Sequence, residues 1–232
     1  MINMRMLTIF KYDINVQLRS GYWTVYGIIG IIYILVLVNL PINIRDKVAI
    51  FCILSDTSVL GLIIVGAIVL LEKQQGVLMS LSVTPLKLNT YLFSKVLSLT
   101  LLSVIVSSLI WIIPLWSFRG YLIILTGVIL SSMIHIMFGL GFSAGANSFN
   151  QFVARVILGS MLLALPVLPM FLVPKTGWLI VLPMNAAVDL FYRLAIGTSS
   201  FMQLVDILIL VGWILIMRLF AQRQFIKHSL LI

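Results

Sequence analysis

The residues of this chain that could do acid–base or ligand chemistry are few and far apart. Among 232 residues there are six acidic residues, two histidines and one cysteine. The sequence has no Ser–His–Asp pattern of a nucleophilic triad and no Cys or His spacing of a metal site. Cys52 lies in an apolar run, where a small buried side chain is the expected role. A polytopic membrane enzyme is therefore retained only as an alternative function.

Two ionisable residues, Asp56 and His135, lie inside apolar runs that are long enough to cross a bilayer. Ionisable groups within a membrane are costly, and by default they mark substrate or ion paths. Asp56 could attract a cationic amphiphile, and a neutral His135 could donate or accept a hydrogen bond. Other roles stay open: Asp56 could cap a local helix break or pair with Arg45 or Lys47. Asp56 and His135 could also form the proton relay of an ion-coupled secondary carrier.

The composition shows which kind of structure must position these residues. Hydrophobic residues make up 62% of the chain, charged residues only 9%, and the mean hydropathy is +1.22. A soluble domain carries roughly a quarter charged residues, so the composition predicts a membrane protein. The formal net charge is +9, but the basic residues are scattered between apolar runs. Such charge orients a membrane protein and does not indicate a nucleic-acid partner.

Six apolar runs are long enough for bilayer-spanning helices, each of which needs about 20 residues. They predict an all-α polytopic membrane protein with spans at 22–40, 48–71, 96–117, 121–146, 156–173 and 203–220. A further stretch, 178–197, is interrupted by Pro183, Asn185, Asp189 and Arg193. Charges in mid-span cost about 2.5–3.5 kcal/mol each on insertion scales. A short re-entrant or interfacial helix pair is therefore predicted at 178–197.

The basic residues predict which side of the membrane holds the chain termini. With six crossings both termini share a side, and ten of the 15 Lys and Arg residues lie on it. The positive-inside rule then places the termini in the cytoplasm and 178–197 outside the cell. Residues 1–21 repeat apolar residues at about every fourth position. They predict an amphipathic helix on the cytoplasmic face of the membrane.

The longest stretch that could not sit in hydrocarbon, EKQQGVLMSLSVTPLKLNTYLFSK, occupies residues 72–95. We call it the polar segment. Gly76 is expected to end the helix of the second span, and Thr84 followed by Pro85 is expected to start the next helix. Between them, a short helix would present an apolar face made of Val77, Leu78 and Leu81.

Charged residues stand at both ends of the polar segment. Lys95 is expected to anchor at the lipid headgroups before the third span enters the membrane. For Glu72 two roles stay open: it bonds free N–H groups around Gly76, or it pairs with a basic residue. Elsewhere, Gly141 and Gly145 have the spacing that lets helices pack closely, either within the chain or across a dimer.

The polar segment resembles the signature loop of permeases in the drug-export branch of ATP-binding-cassette (ABC) transporters, the ABC-2-like, type V exporter fold that includes fluoroquinolone exporters. The family pattern E-x-x-x-G-x-L-x-x-L-x-V-T-P, then Y-L-x-x-K, is matched by Glu72, Gly76, Leu78, Leu81, Val83, Thr84, Pro85, Tyr91, Leu92 and Lys95. The chain departs from the pattern at Val77, where the family often has Thr. Stretch 182–197 is similar to the family's extracellular helices, with matches at Pro183, Arg193 and Gly197. Residues 1–21 are similar to its N-terminal elbow helix.

The resemblance implies a function for the chain. In the family this loop carries a coupling helix that docks on a separate ATPase. The residues here that would make this contact are Glu72, Gly76, Val77, Leu78, Leu81, Thr84 and Pro85. The sequence contains no G-x-x-x-x-G-K-[ST] loop for nucleotide phosphates, so the partner would bind ATP and Mg²⁺, and the permease itself would be non-catalytic.

The resemblance also implies an assembly and a cargo. Two ATPase subunits and a second permease, identical or related, would complete an exporter in the plasma membrane of a bacterium. Its cargo would be a drug-like amphiphile, such as a fluoroquinolone-type antibiotic, or an antimicrobial peptide. Efflux of this kind gives multidrug resistance.

Overall fold

The computed structural model describes residues 2–56, 61–82, 84, 86–115, 120–164, 181–196 and 200–228. Within these ranges every regular element is a helix, which confirms the all-α prediction. In chain order the helices are α1 (Ile2–Arg19), α2 (Tyr22–Val38), α3 (Ile42–Ser55), α4 (Gly61–Gln74), α5 (Val77–Ser82), α6 (Leu88–Leu115), α7 (Tyr121–Ala144), α8 (Phe149–Ala164), α9 (Pro183–Ile196) and α10 (Ser200–His228).

Three helices of the described part have the length and the apolar composition of a membrane span: α6, α7 and the Phe201–His228 portion of α10. A fourth results if Met6–Arg19 of α1 and Tyr22–Val38 of α2, which meet at a bend of 66°, are counted as one span. The chain is therefore a helical membrane protein. The count of six crossings stays a prediction, because parts of the second and fifth predicted spans lie outside the described residues.

Several predicted spans lie close to helices of the structure. The first corresponds to α2, the fourth to α7, and the sixth to α10, which continues past the apolar run to His228. The third corresponds to α6, which begins at Leu88 and so includes the last part of the polar segment. Polar residues on one face of α6 are buried by neighbouring helices, which allows this helix to start before the apolar run does.

The second predicted span, 48–71, corresponds to α3 and α4, with residues 57–60 outside the described part. α3 begins earlier than predicted, at Ile42, directly after Pro41. Arg45 lies inside this helix and fixes it by donating hydrogen bonds to the carbonyls of Leu40 (2.9 Å) and Pro114 (3.0 Å). Because Arg45 caps the chain near the ends of α2 and α6, a charged residue is accommodated where hydropathy alone indicated a loop.

The remaining predicted elements are partly described. α8 begins at Phe149, before the predicted fifth span of 156–173, and residues 165–173 lie outside the described part. Where 178–197 predicted a helix pair, the described residues form the single helix α9. Its first turn is closed by the Ala186 amide, which donates to the Leu182 carbonyl at 3.0 Å. Its position relative to the membrane stays a prediction.

Helix α7 is the centre of the packing and contacts α4, α6 and α10. Two of its glycines allow these close approaches. A Cβ atom at Gly139 would lie 2.8 Å from the backbone oxygen of Leu62 in α4, and one at Gly141 would lie 2.3 Å from the ring of Phe220 in α10. Helices α1 and α2 in turn pack against α6. The bundle thereby brings α1 and α4 to the α6 end of the polar segment.

Candidate functional site

The polar segment begins with a break in the helix, as predicted for Gly76. Helix α4 ends at Gln74, and Gly76 adopts the left-handed conformation with φ of 71°. Its amide donates to the Lys73 carbonyl (3.2 Å), and its own carbonyl accepts from the Ser80 amide (3.1 Å) in the first turn of α5. A side chain at this φ would be strained, so glycine suits the turn that separates α5 from α4.

The next helix starts later than predicted. Thr84 lies in a turn, Pro85 lies outside the described residues, and α6 begins at Leu88. The carbonyl of Lys87 accepts the first helical hydrogen bonds, from the amides of Thr90 (2.9 Å) and Tyr91 (3.3 Å). The Thr84–Pro85 start was therefore wrong, because Lys87 occupies the capping position.

Helix α5 turns a different face outward from the one predicted. Leu78 is only 7% exposed and belongs to the protein's own core, whereas Met79 is 63% exposed. Val77 is half-buried and Ser80 is exposed. The predicted outward position of Leu78 is thus wrong, because its side chain packs within the bundle. The side chain of Leu81 and residue Val83 lie outside the described part.

A buried ion cluster closes the two ends of the polar segment. Lys95 is 1% exposed, and its ammonium group donates to Oδ1 of Asp13 (2.6 Å) and to Oε1 of Glu72. Both carboxylates are also buried. We use the name ion cluster for Asp13, Glu72 and Lys95 together with Tyr91 and Ser94, which bond to the carboxylates. It joins α1, α4 and α6.

Every carboxylate oxygen of the ion cluster has a hydrogen-bond donor. Besides the bonds from Lys95, the Tyr91 hydroxyl donates to Oε2 of Glu72 (2.6 Å), and the Ser94 hydroxyl donates to Oδ2 of Asp13 (2.5 Å). Buried charges persist only when they are paired and fully hydrogen-bonded. This cluster meets that condition although it holds two carboxylates and one ammonium group.

Helical spacing explains how the cluster forms. One face of α6 carries four polar residues, because Ser94, Lys95 and Ser98 follow Tyr91 by three, four and seven residues. On α1, Gln17 follows Asp13 by one turn, and its side-chain amide donates to the Ser98 hydroxyl at 2.8 Å. The headgroup anchor predicted for Lys95 is wrong, since Asp13 and Glu72 hold this side chain inside the protein. For Glu72, pairing with a basic residue is confirmed.

The structure brings together residues that carry the family resemblance from opposite ends of the polar segment. Glu72 opens the segment, and Tyr91 and Lys95 close it, yet they meet in one hydrogen-bonded cluster. Sequence reasoning missed Asp13, Gln17 and Ser94. The signal that could have found them is the presence of polar pairs one turn apart on α1 and α6.

Two further cations, Lys73 and Arg155, lie at the C-terminal end of α7. Lys73, in the last turn of α4, donates to the carbonyls of Ser143 (3.0 Å), Ala144 and Ala146 (3.2 Å). Arg155 of α8 donates to the Gly145 carbonyl at 2.6 Å. Burial lowers the pKa of Lys73, and the positive charge of Arg155 lowers it further. These residues stabilise the C-terminus of α7, where carbonyls lack helical partners.

The predicted packing glycines have different surroundings. Gly141 lies inside α7 against Phe220 of the same chain. Gly145 instead forms the C-terminal cap of α7, with φ of −93°, and a Cβ atom there would lie 3.0 Å from Arg155. A Cβ atom at Gly145 would also lie 3.3 Å from His228, so both glycines lie at close approaches within the chain, Gly141 against α10 and Gly145 against α8 and α10.

Asp56 lies at the C-terminal end of α3 and is completely buried. Within the described part of the chain, neither of its carboxylate oxygens has a hydrogen-bond partner. The predicted pairing with Arg45 is not present, because Arg45 donates to backbone carbonyls, and Lys47 is exposed. A buried polar group without a partner costs free energy. The predicted role of Asp56 as the cap of a helix break falls on residues 57–60, which lie outside the described part.

His135 is buried in α7, and its Nδ1 lies 2.8 Å from the Ser131 carbonyl. Because a carbonyl only accepts, Nδ1 carries the proton in this contact. Among the described residues no hydrogen bond joins His135 to Asp56. The two predicted membrane sites are thus separate environments in this structure.

A third charged group, which includes the predicted interruptions of 178–197, links α9 to α10. Arg193 donates to Asp189 one turn earlier (2.9 Å), and its Nε lies 3.3 Å from Asp206 of α10. Asp206 is 1% exposed. The Trp213 indole adds a bond to the Val181 carbonyl at 2.7 Å. These contacts fix α9 on α10 at the end of the bundle opposite the polar segment, since α10 enters there at Ser200.

A bundle of long apolar helices with buried ion pairs defines a helical membrane protein. The chain belongs to the fluoroquinolones export permease protein family, whose model matches residues 4–230. Two curated relatives are fluoroquinolones export permease proteins of Mycobacterium tuberculosis, from strains CDC 1551 / Oshkosh and ATCC 25618 / H37Rv. Each is 25% identical over 195 residues, which cover 80% of this chain and 81% of the relative. The family supports the predicted class, a membrane export permease.

Proposed function

We propose that this chain is the permease subunit of an ATP-driven exporter and that α5 is its contact with a separate ATPase. The observation that carries the proposal is the construction of the polar segment. A short helix with Met79 exposed stands between the left-handed Gly76 and the start of α6. Its two ends are joined by the buried pair of Glu72 and Lys95. In this arrangement a movement of α5 would be transmitted to the membrane helices α4 and α6.

The mechanism follows from the connections of α5. When the ATPase moves α5, Glu72 and Lys95 oblige α4 and α6 to follow together, and Asp13 draws α1 with them. Tilting of these helices opens a path across the membrane. The ATPase shifts this equilibrium only if it binds the two conformations with different affinity. Among the α5 side chains that the structure describes, Met79 and Ser80 are exposed and would make this differential contact, with Val77 at its edge.

The other subunits of the exporter are proposed from the family resemblance. Two ATPase subunits bind ATP and Mg²⁺, and a second permease, identical or related, completes the path. The chain termini face the cytoplasm of a bacterium, whose plasma membrane holds the complex. In support, the sequence contains no phosphate-binding loop, and the polar segment lies at the end of the bundle where α1 meets α6.

The proposed cargo is an amphiphile, either a drug of the fluoroquinolone type or an antimicrobial peptide. The printed names of the two curated relatives refer to fluoroquinolones. Asp56 is proposed to recognise a cationic group of the cargo, because its buried carboxylate lacks any partner among the described residues. His135 is the second proposed contact, since the contact of Nδ1 with Ser131 leaves Nε2 to accept a hydrogen bond.

The ATPase contact is tested by copurification from the native host. The tagged wild-type chain is expected to recover a protein with a phosphate-binding loop. Met79→Asp is expected to reduce this recovery about tenfold, because a charge at the centre of an apolar contact removes a dominant interaction. Met79→Leu keeps the apolar contact and is expected to keep recovery. Gln75→Asp places the same charge on an exposed residue before Gly76 and serves as the matched control.

Leu78→Asp is unsuitable for this purpose, because Leu78 is buried and the change would disturb folding. Equal recovery of the ATPase by Met79→Asp and the wild type, with both inserted in the membrane, would remove α5 from the contact. Transport that continues after ATP depletion but collapses with the proton gradient would instead identify an ion-coupled carrier.

The role of Asp56 is tested by export measurements with Asp56→Asn. Loss of the negative charge is expected to reduce export of a cationic amphiphile while export of an uncharged analogue continues. Asp189→Asn, which removes the same charge from a partly exposed carboxylate on α9, is the control. Unchanged export of both compounds by Asp56→Asn would exclude this residue from cargo recognition.

A further inference from the structure

An apolar groove lies between α6, α7 and α10, near the ion cluster. The side chains of its apolar floor are Leu92, Phe93, Val96, Met137, Leu140 and Ala221. Its rim carries Arg218, Gln222 and Asn89. We call it the α6 groove. Of these apolar side chains only Phe93 is exposed, so the groove is a shallow depression with an apolar edge and a polar mouth.

Arg218 is the charged residue of the groove. It is exposed on α10, and no salt bridge joins it to an acid in the part of the chain that the structure describes. The apolar residues Leu215, Ile216 and Leu219 around it are also exposed, with exposed fractions between 53% and 57%. An arginine on such a surface needs either water at the membrane boundary or an anion.

The length of α6 places the groove at that boundary. Its 28 residues extend about 42 Å at 1.5 Å per residue, whereas the hydrocarbon core is about 30 Å thick. The polar residues Asn89, Ser94 and Lys95 lie in its first turns, so the excess of about 12 Å, roughly eight residues, belongs at this end. The hydrocarbon boundary then falls near Val96, which lines the groove with Arg218.

The mouth of the groove is preorganised by a contact between α6 and α10. The Gln222 side-chain amide donates to Oδ1 of Asn89 at 2.7 Å. This bond uses the oxygen of the Asn89 side chain, so the amide NH₂ group at Nδ2 remains as a further donor at the mouth of the groove, which Arg218 also lines. Phosphate oxygens, like carboxylate oxygens, can accept two parallel hydrogen bonds from a guanidinium.

We propose that the α6 groove binds the headgroup of an anionic phospholipid, with the phosphate on Arg218 and an acyl chain against the exposed apolar side chains beside it, Phe93 of α6 and Leu215 and Leu219 of α10. The site would retain one lipid against α10 at the end of the bundle that carries the ion cluster. Its ligand is distinct from the exported cargo, and the proposal does not depend on the ATPase partnership.

The proposal is tested by native mass spectrometry of the purified, delipidated full chain. The protein is titrated with equal amounts of dioleoylphosphatidylglycerol and dioleoylphosphatidylcholine, and the ratio of the two for the first bound lipid is measured. The wild type is expected to prefer phosphatidylglycerol. Arg218→Gln is expected to lower this ratio roughly fivefold, the effect of one basic residue at a lipid surface. Arg223→Gln, an equal charge change at another exposed position of α10, is expected to change it less than twofold.

Arg218→Lys keeps the charge and is expected to keep most of the preference. An unchanged ratio in Arg218→Gln, or an equal fall in Arg223→Gln, would overturn the proposal, because the lipid would then respond only to overall charge. Displacement of the lipid by millimolar inorganic phosphate would overturn it in favour of a free-anion site. Displacement by a carboxylate-bearing quinolone would overturn it in favour of a cargo site.

Discussion

Replacement of Lys95 by methionine tests the ion cluster most directly. Methionine matches much of the length of the lysine side chain but leaves the carboxylates of Asp13 and Glu72 buried without their cation. Removal of one partner from a buried ion pair destabilises a protein by about 3–5 kcal/mol. Lys95 serves two carboxylates, so the upper part of that range is expected. The hydrogen bonds from Tyr91 and Ser94 remain and limit the loss.

The measurement is thermal unfolding of the purified protein in detergent, followed by tryptophan fluorescence. For a chain of this size 1 kcal/mol corresponds to about 2–4 °C in Tm, so a loss of about 4–5 kcal/mol in Lys95→Met is expected to lower Tm by roughly 8–20 °C. Lys87→Met removes an exposed lysine of the polar segment and is the matched control. Its Tm is expected to change by about 1–2 °C at most, as is usual for a surface substitution.

A triple variant separates charge from packing. Lys95→Met combined with Asp13→Asn and Glu72→Gln removes the cation and both anions together. Buried ion clusters are often replaced by uncharged side chains with little loss, so the triple variant is expected to recover most of the stability lost in the single variant. A single variant as stable as the wild type, or a triple variant no better than the single, would refute the electrostatic account of the cluster.

Three further outcomes are expected. Tyr91→Phe removes the hydroxyl bond to Glu72 and is expected to lower stability by about 1.5–3 kcal/mol, the range for hydrogen bonds to charged groups; an unchanged Tm would contradict that bond. Gly139→Ala places a Cβ atom 2.8 Å from a backbone oxygen and is expected to reduce folded yield, whereas Gly212→Ala meets no atom within 4 Å and is expected to be tolerated; equal yields would refute the close approach. Arg193→Gln removes the ion pair between α9 and α10 and is expected to increase proteolysis in 181–196 without loss of α6 or α7, as limited proteolysis would show.

The main helices could be predicted because their apolar runs match the thickness of a bilayer. Gly76 could be predicted as a helix end, since a glycine between a polar turn and a short apolar helix has few other roles. The boundaries of α3 and α6 could not. Both helices begin in charged or polar sequence, before the apolar run. This is possible because Arg45 of α3 donates hydrogen bonds to backbone carbonyls and Lys95 of α6 pairs with two carboxylates.

The candidate site was only partly predictable for the same reason. Hydropathy assigns Lys95 to the membrane surface, and only the partner residues show that it is buried. Asp13 and Lys95 are 82 positions apart, so no local sequence pattern predicts that they are in contact. Leu78 and Met79 are adjacent and similarly apolar, and only the packing of α5 decides which of them faces outward.

The separation of Asp13 from Lys95 has a consequence for biosynthesis. Asp13 leaves the ribosome 82 residues before its cation does, which at about 5–20 residues per second is a delay of roughly 4–16 s. During this interval the first helix cannot dock, and its carboxylate has to remain hydrated beside the translocation machinery. Helix α1 therefore forms its buried ion pair only after the insertion of α6 has begun, so it is fixed in the bundle later than it is synthesised.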